Sequence, residues 1–123
     1  MAEQPTLFSR IIAGDIPADI VYRDEFCVAF RDIQAQAPVH LLIVPIEPSP
    51  SVANVEPAHE KLLGHLLVVA ARLGEEFGLA HSGYRLIINH GEDAGQTVPH
   101  LHLHLIGGRP LGALVGGAQP SSH

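Results

Sequence analysis

The spacing of apolar residues changes several times along this chain, and each change marks an element. Leu7, Phe8, Ile11 and Ile12 fall on one side of a short helix over Leu7 to Ala13, with Thr6 placed to cap its start and Gly14 just past its end. Asp15-Ile16-Pro17 then breaks it. Ile20 to Arg23 and Phe26 to Arg31 read as two strands around an Asp24-Glu25 turn. Val39 to Ile46 is apolar except at His40, the pattern of a strand buried on both faces and so central in a sheet. Beyond the stiff, proline-bearing loop 45 to 50, Pro57 opens a helix that runs to about Phe77, before Gly78, roughly 30 Å long. Its stripe of Leu62, Leu66, Val69, Leu73 and Phe77 is widened by Leu63, Leu67 and Ala70, enough to cover a sheet and also meet a second subunit. Lys61, His65, Arg72 and Glu76 mark its polar side, where His59 and His65 read as solvated. Tyr84 to His90 is a fourth strand. Phe8, Ile11, Phe26 and Phe30 read most simply as core.

Val98 to Gly108 is a fifth strand of unusual composition. Leu101, Leu103 and Leu105 alternate with His100, His102 and His104, which gives one greasy face and one lined with imidazoles. On a regular strand, same-face residues repeat every ~6.8 Å, so His100 and His104 lie ~13 Å apart at Cα. One metal bonded at roughly 2.1 Å by each ring is hard to fit to that spacing. A row of imidazoles suits an extended anion such as a phosphate ester, and a neutral ring is also a nucleophile and a proton carrier near neutral pH.

Composition narrows the setting. The chain has 123 residues, a hydrophobic fraction of 46% and a formal charge of −6. That length reads as one domain with a proper core, helped by dimerisation, and the charge argues against nucleic acid or an anionic membrane as partner. No apolar run is long enough to span a bilayer, and MAEQPTLFSR lacks the features of a signal peptide, so a cytoplasmic protein is expected. Residues 1 to 115 are expected to form the domain. Gly116 to His123, in a Gly- and Ala-rich tail, are expected to be mobile.

Other residues carry candidate chemistry beside a plainer reading. Cys27, the single cysteine, sits in an apolar run and reads as a reduced buried thiol. Asp32 could simply cap the turn after its strand. His40 is equally a hydrogen-bonded core histidine or a catalytic one. Gly91 and Gly95 allow backbone amides to turn toward an anion. Glu92 and Asp93 read as solvated loop carboxylates.

The run Asn89-His-Gly-Glu-Asp-Ala-Gly95-Gln96-Thr97-Val98-Pro-His100-Leu-His102-Leu-His104-Leu-Ile-Gly107-Gly108-Arg109 closely resembles the histidine triad (HIT) superfamily. Its Gly-Gln-Thr-Val approach and Gly-Gly-Arg exit are similar to those of the Hint-like branch of nucleoside phosphoramidases, and the likeness extends over most of residues 7 to 111. The resemblance implies an α+β fold: a five-stranded antiparallel sheet, a short N-terminal helix and a long central helix, paired as a homodimer. It also implies a purine nucleotide substrate. Phe8, Ile11 and Ile33 would line the base pocket and Asp32 would accept from the ribose hydroxyls. Gly95, Asn89, Gln96, Thr97 and His104 would hold phosphate oxygens or the leaving group. His102 would be the nucleophile, forming a nucleotidyl-histidine intermediate without cofactor or metal, while His100 and His40 would orient it.

Two departures stand out. Ile46-Glu47-Pro48 replaces the basic residues and histidine usual after the third strand, and Pro110-Leu-Gly-Ala-Leu replaces a tryptophan- and proline-rich tail. The first reverses the local charge, and the second bears on the leaving-group side. The alternatives carried forward are a dinucleoside polyphosphate hydrolase, a nucleotide-binding protein with vestigial catalysis, and a metal protein using His100 and His102 with His40 or His90.

Overall fold

The computed structural model describes residues 5–49 and 51–114, so the expected boundary after residue 115 and the tail 116–123 lie outside the described residues. A short helix α1 (Leu7–Ala13) leads into strands β1 (Ile20–Arg23), β2 (Cys27–Arg31) and β3 (Val39–Pro45). The long helix α2 (Glu60–Glu76), entered through a 3-10 turn over Pro57–His59, precedes β4 (Tyr84–Ile87) and β5 (Leu103–Gly107). All strand pairings are antiparallel in one sheet of order β1-β2-β3-β5-β4. This is the expected α+β architecture, with β3 at its centre.

Alternation within the strands sorts side chains to two faces. Cys27, Ala29, Leu41, Ile43, Leu103 and Leu105 meet Leu66, Val69, Ala70 and Leu73 of α2. Val28, Phe30, Leu42 and Val44 face the other way, where Phe8 and Ile11 of α1 cover them. Burying each of these larger apolar side chains is worth about 1.5–3 kcal/mol, so this two-sided burial is what holds β3 and β5 rigidly in register. Leu42 lies opposite His104 and His40 opposite Ile106, which puts both imidazoles on the α1 face.

Caps set the ends of α1. Thr6 Oγ1 accepts from the Ser9 amide at 3.0 Å, Ser9 Oγ returns a bond to the Thr6 backbone, and Gly14 closes the helix in the left-handed region at φ 85°. The wide face of α2 leaves Leu67 and Val68 exposed. Two expectations shift. β4 stops at Ile87 rather than His90. Phe26 lies outside the core, 49% exposed, because it precedes the paired residues of β2 at the hairpin turn.

The largest revision concerns the histidine strand. Only Leu103–Gly107 join the ladder. Pro99 has no amide to donate, the His100 amide folds back onto the Val98 carbonyl at 2.8 Å, and the Leu101 amide pairs with Ser49. Val98 to His102 is therefore bent, and His100, Leu101 and His102 are all buried rather than split between wet and dry faces. The bend also draws imidazoles together: the rings of His102 and His104 lie 5.1 Å apart.

Candidate active site

The proton positions on the four buried imidazoles follow from which neighbours can only donate or only accept. The His102 ring presents Nδ1 to the carbonyl of His100 at 2.7 Å. A carbonyl only accepts, so Nδ1 carries the proton, and in the neutral ring Nε2 keeps its lone pair. The bend at Val98–His100 is what turns that carbonyl toward the ring.

His100 acts differently from its neighbour. Its Nε2 donates to the Pro45 carbonyl at 3.0 Å, and its Nδ1 accepts from the Thr6 hydroxyl at 3.2 Å. The ring thus ties the end of β3 to the cap of α1, while its backbone fixes His102. His40 and His104 form a third arrangement. The Gln36 amide donates to His40 Nδ1 at 3.0 Å, which leaves the His40 proton on Nε2. That nitrogen meets His104 Nδ1 at 2.9 Å, so a neutral His104 holds its own proton on Nε2. Asp32 Oδ2 stands 3.4 Å from His40 Nε2, the weaker branch of a shared donor rather than an ion pair. Asp32 Oδ1 accepts from the Gln34 amide at 2.9 Å, so the turn-capping reading of this carboxylate holds and is joined by the contact to His40.

Beside the imidazoles is a cavity of about 300 Å³. Leu7, Phe8 and Ile11 of α1 form one wall and Ile16, Pro17 and Ala18 another; Leu42 and Phe30 come from the sheet, Asp32, Ile33 and Gln34 from the end of β2, and Thr97 and Val98 from the approach to β5. Apolar walls with one buried carboxylate suit a flat apolar group carrying hydroxyls. Among the site residues expected from sequence, Phe8, Ile11, Asp32, Ile33 and Thr97 line it. Ile33 does so from the rim, 95% exposed. The Ile16-Pro17-Ala18 wall was not anticipated; its only sequence signal is the helix-breaking Pro17. Phe8 joins cavity to imidazoles, its ring 4.8 Å from that of His102 and edge-on to it.

His40, His100, His102 and His104, together with Asn89, Gly95 and Gln96, lie outside the cavity lining. Asn89 is half-buried beyond the end of β4. Gln96 braces its own loop: its Oε1 accepts from the Gly91 amide at 2.9 Å and its Nε2 donates to the Val98 carbonyl at 3.2 Å. The amides of Gly91 and Gly95, expected to face an anion, close the turn instead, on Gln96 and on the Glu92 carbonyl. Gly95 serves the backbone, at φ 84°, where a side chain would be strained.

Other candidates resolve simply. The thiol of Cys27 is buried, and burial, with Asp24 beside it, pushes its pKa up to about 12, far from an activated nucleophile. Glu92 and Asp93 are exposed. Both ring nitrogens of His100 are engaged, with Pro45 and Thr6, and neither His100 nor His102 belongs to a group of converging donor atoms among the described residues, so the geometry does not favour the metal reading built on them. The donor atoms that converge on this face are those of Asp32, His40 and His104, within 4.8 Å of one another. His59 and His65, expected to be idle, both have acidic partners: Glu47 at 2.9 Å and Asp24 at 2.7 Å.

Comparison with known proteins agrees with this geometry. The family model described as the HIT domain matches residues 13–111. The chain is 51% identical to the purine nucleoside phosphoramidase of Escherichia coli (strain K12) over 115 residues, covering 94% of this chain and 96% of that protein. It is 50% identical to an uncharacterized HIT-like protein of Synechocystis sp., covering 90% and 96%. Among solved structures, a HIT family hydrolase from Legionella pneumophila Philadelphia 1 superposes with a TM-score of 0.89 at 42% identity, covering 91% of this chain and all of that one. A HIT family hydrolase from Clostridium thermocellum does so at 0.88 and 39%, covering 93% and 99%.

Proposed function

This chain belongs to the HIT family, and on that premise we propose that it is a hydrolase of purine nucleoside 5'-phosphoramidates, releasing AMP or GMP through a nucleotidyl-histidine intermediate. Identity of 51% to a purine nucleoside phosphoramidase across nearly the whole chain supports the substrate class. The observation that carries the chemistry is the 2.7 Å contact from His102 Nδ1 to the His100 carbonyl. It holds the ring in the tautomer whose Nε2 can attack phosphorus.

In this reading, Nε2 of His102 forms a bond to the α-phosphorus as the phosphorus–nitrogen bond breaks, and the amine departs with a proton taken from the His104 Nε2–H or from solvent, which the water of the second step replaces. The ring gains positive charge, which the same carbonyl is already placed to stabilise. Water then attacks the phosphorus, frees the nucleotide and returns the ring. The relay from the Gln36 amide through His40 leaves His104 with an Nε2 donor, which we assign to a phosphate oxygen or the departing amine. Phe8, Ile11 and Ile33 take the base and Asp32 accepts from the ribose; Thr97, Asn89 and Gln96 are assigned to the phosphate side. His100 positions His102. Because the His102 ring is only 2% exposed, a substrate phosphorus must displace its present neighbours to reach Nε2.

The test is intact mass spectrometry of protein quenched during turnover of an AMP–amine conjugate. A nucleotidyl adduct is expected on the native chain and none on His102→Ala, whose turnover falls about a thousandfold or more while AMP affinity changes little. Binding of AMP without turnover by the native chain would leave a nucleotide-binding protein and refute the hydrolase. Faster turnover of a diadenosine polyphosphate than of the conjugate would move the substrate class.

The same proposal includes a homodimer, supported by the exposed Leu67 and Val68 on α2 and Leu86 on the edge strand β4. Sedimentation equilibrium at twice the chain mass is the expected result. A cytoplasmic setting, without nucleic-acid partners, is the companion expectation; the formal charge of −6 supports the second part. Among the described residues no helix is long and apolar enough to cross a membrane.

A further inference from the structure

On the sheet face away from the imidazoles, three side chains of different chemistry converge. Asp24 comes from the β1–β2 turn, Cys27 from the first residue of β2 and His65 from the second turn of α2. One ligand atom from each, a carboxylate oxygen, the thiol sulfur and an imidazole nitrogen, lies within 4.8 Å of the other two. We propose that Asp24, Cys27 and His65 bind one zinc-class divalent cation, in a site separate from the nucleotide cavity.

The donor set is mixed nitrogen, oxygen and sulfur, which suits a borderline-soft tetrahedral ion and not magnesium or calcium. In a zinc tetrahedron the ligand atoms stand roughly 3.4–3.6 Å apart. His65 Nε2 and Asp24 Oδ2, now 2.7 Å apart, need to open by less than about 1 Å, and the thiol, within 4.8 Å of both partners' ligand atoms, needs to close by at most about 1.4 Å. The carboxylate is already held. Its Oδ1 accepts from the Phe26 and Cys27 amides at 2.7 and 2.9 Å, and Tyr22 donates its hydroxyl to Oδ2 at 2.7 Å. Such outer partners orient a ligand and raise its affinity. Phe26 covers the imidazole edge-on at 5.2 Å, and the His65 side chain remains 32% exposed, which leaves an entry path and a fourth position for water. Binding replaces two protons at the ligand atoms: the sulfur–hydrogen bond breaks, its proton goes to solvent and a sulfur–metal bond forms, while the proton that His65 Nε2 shares with Asp24 Oδ2 leaves that nitrogen for Nδ1 through solvent, so that the Nε2 lone pair can bond the cation. The bound ion joins α2 to the β1–β2 hairpin.

Cobalt(II) titration of the purified chain tests the site, because a thiolate-to-cobalt charge-transfer band in the near ultraviolet reports sulfur ligation. The cluster of Asp32, His40 and His104 has no thiol and cannot produce that band. The expected result is the band at one equivalent in the native chain, its loss in both Cys27→Ala and His65→Ala, and its survival in His104→Ala. Zinc at about one hundred times its dissociation constant should also raise Tm by about 10 °C in the native chain, and this rise should shrink in Cys27→Ala. A native chain without the band at saturating cobalt overturns the proposal whatever the variants do, as does a band that persists in His65→Ala.

Discussion

His40→Phe isolates the contribution of the relay that ends on His104. The native ring is 3% exposed, accepts from the Gln36 amide and donates to His104 Nδ1 at 2.9 Å, with Asp32 Oδ2 at 3.4 Å. Phenylalanine fills much the same space but has neither nitrogen, so packing is largely kept while a half-buried amide, a buried ring nitrogen and a buried carboxylate each lose a contact. Leaving buried polar groups unmet costs about 1–3 kcal/mol, which for a chain of this length is a fall in Tm of about 4–12 °C. The net bond that biases His104 toward its Nε2–H form is worth about 0.5–1.5 kcal/mol, so losing it should reduce kcat by about two- to tenfold, with KM moving less. His40→Gln, which retains a donor to His104, should recover part of that loss. Nitrogen-15 NMR of the imidazoles reads the tautomer directly. A His104 ring still fully Nε2-protonated in His40→Phe, with unchanged kcat, would refute the relay.

Other expectations follow from the same geometry. Phe8 is 3% exposed, packs edge-on with Phe30 at 5.6 Å and with His102 at 4.8 Å, and walls the cavity, so Phe8→Ala should cost about 3–5 kcal/mol in urea denaturation and raise KM for an AMP conjugate. Burial raises the Asp24 pKa, but hydrogen bonds from Tyr22, the Phe26 amide, His65 and the Cys27 amide outweigh it and hold the carboxyl well below its ordinary 3.8. A folded-state pKa below the unfolded one means stability fully present above about pH 4 and lost as pH falls through the folded value. Plots of Tm against pH should therefore show an acid limb that Asp24→Asn flattens, and an unchanged limb would assign it to other carboxylates.

Much of the architecture could be read from local pattern. The cap at Thr6, the stop at Gly14, the stripe of α2 and the alternation of Leu103 and Leu105 all reflect periods of 3.6 and 2, which depend on near neighbours in the chain. The HIT resemblance, which spans most of residues 7 to 111, likewise marked His102 and the residues before it as candidates. Phe8, Ile11, Asp32, Ile33 and Thr97, marked that way too, line one cavity, whereas the Gly95 amide, assigned to an anion, bonds the Glu92 carbonyl within its own turn.

Tertiary structure decided which polar atom meets which. His40 finds His104 across 64 positions, His65 finds Asp24 across 41, and His100 bonds Pro45 across 55. Strand register and helix docking set such pairings, and hydrophobic spacing is blind to them because it records how deeply a residue is buried and not what lies opposite its ring nitrogens. Amino-acid order alone thus determined the sheet, the helices and the identity of the chemical groups. The proton on each imidazole was decided only when folding brought a carbonyl, an amide or another ring within about 3 Å of it.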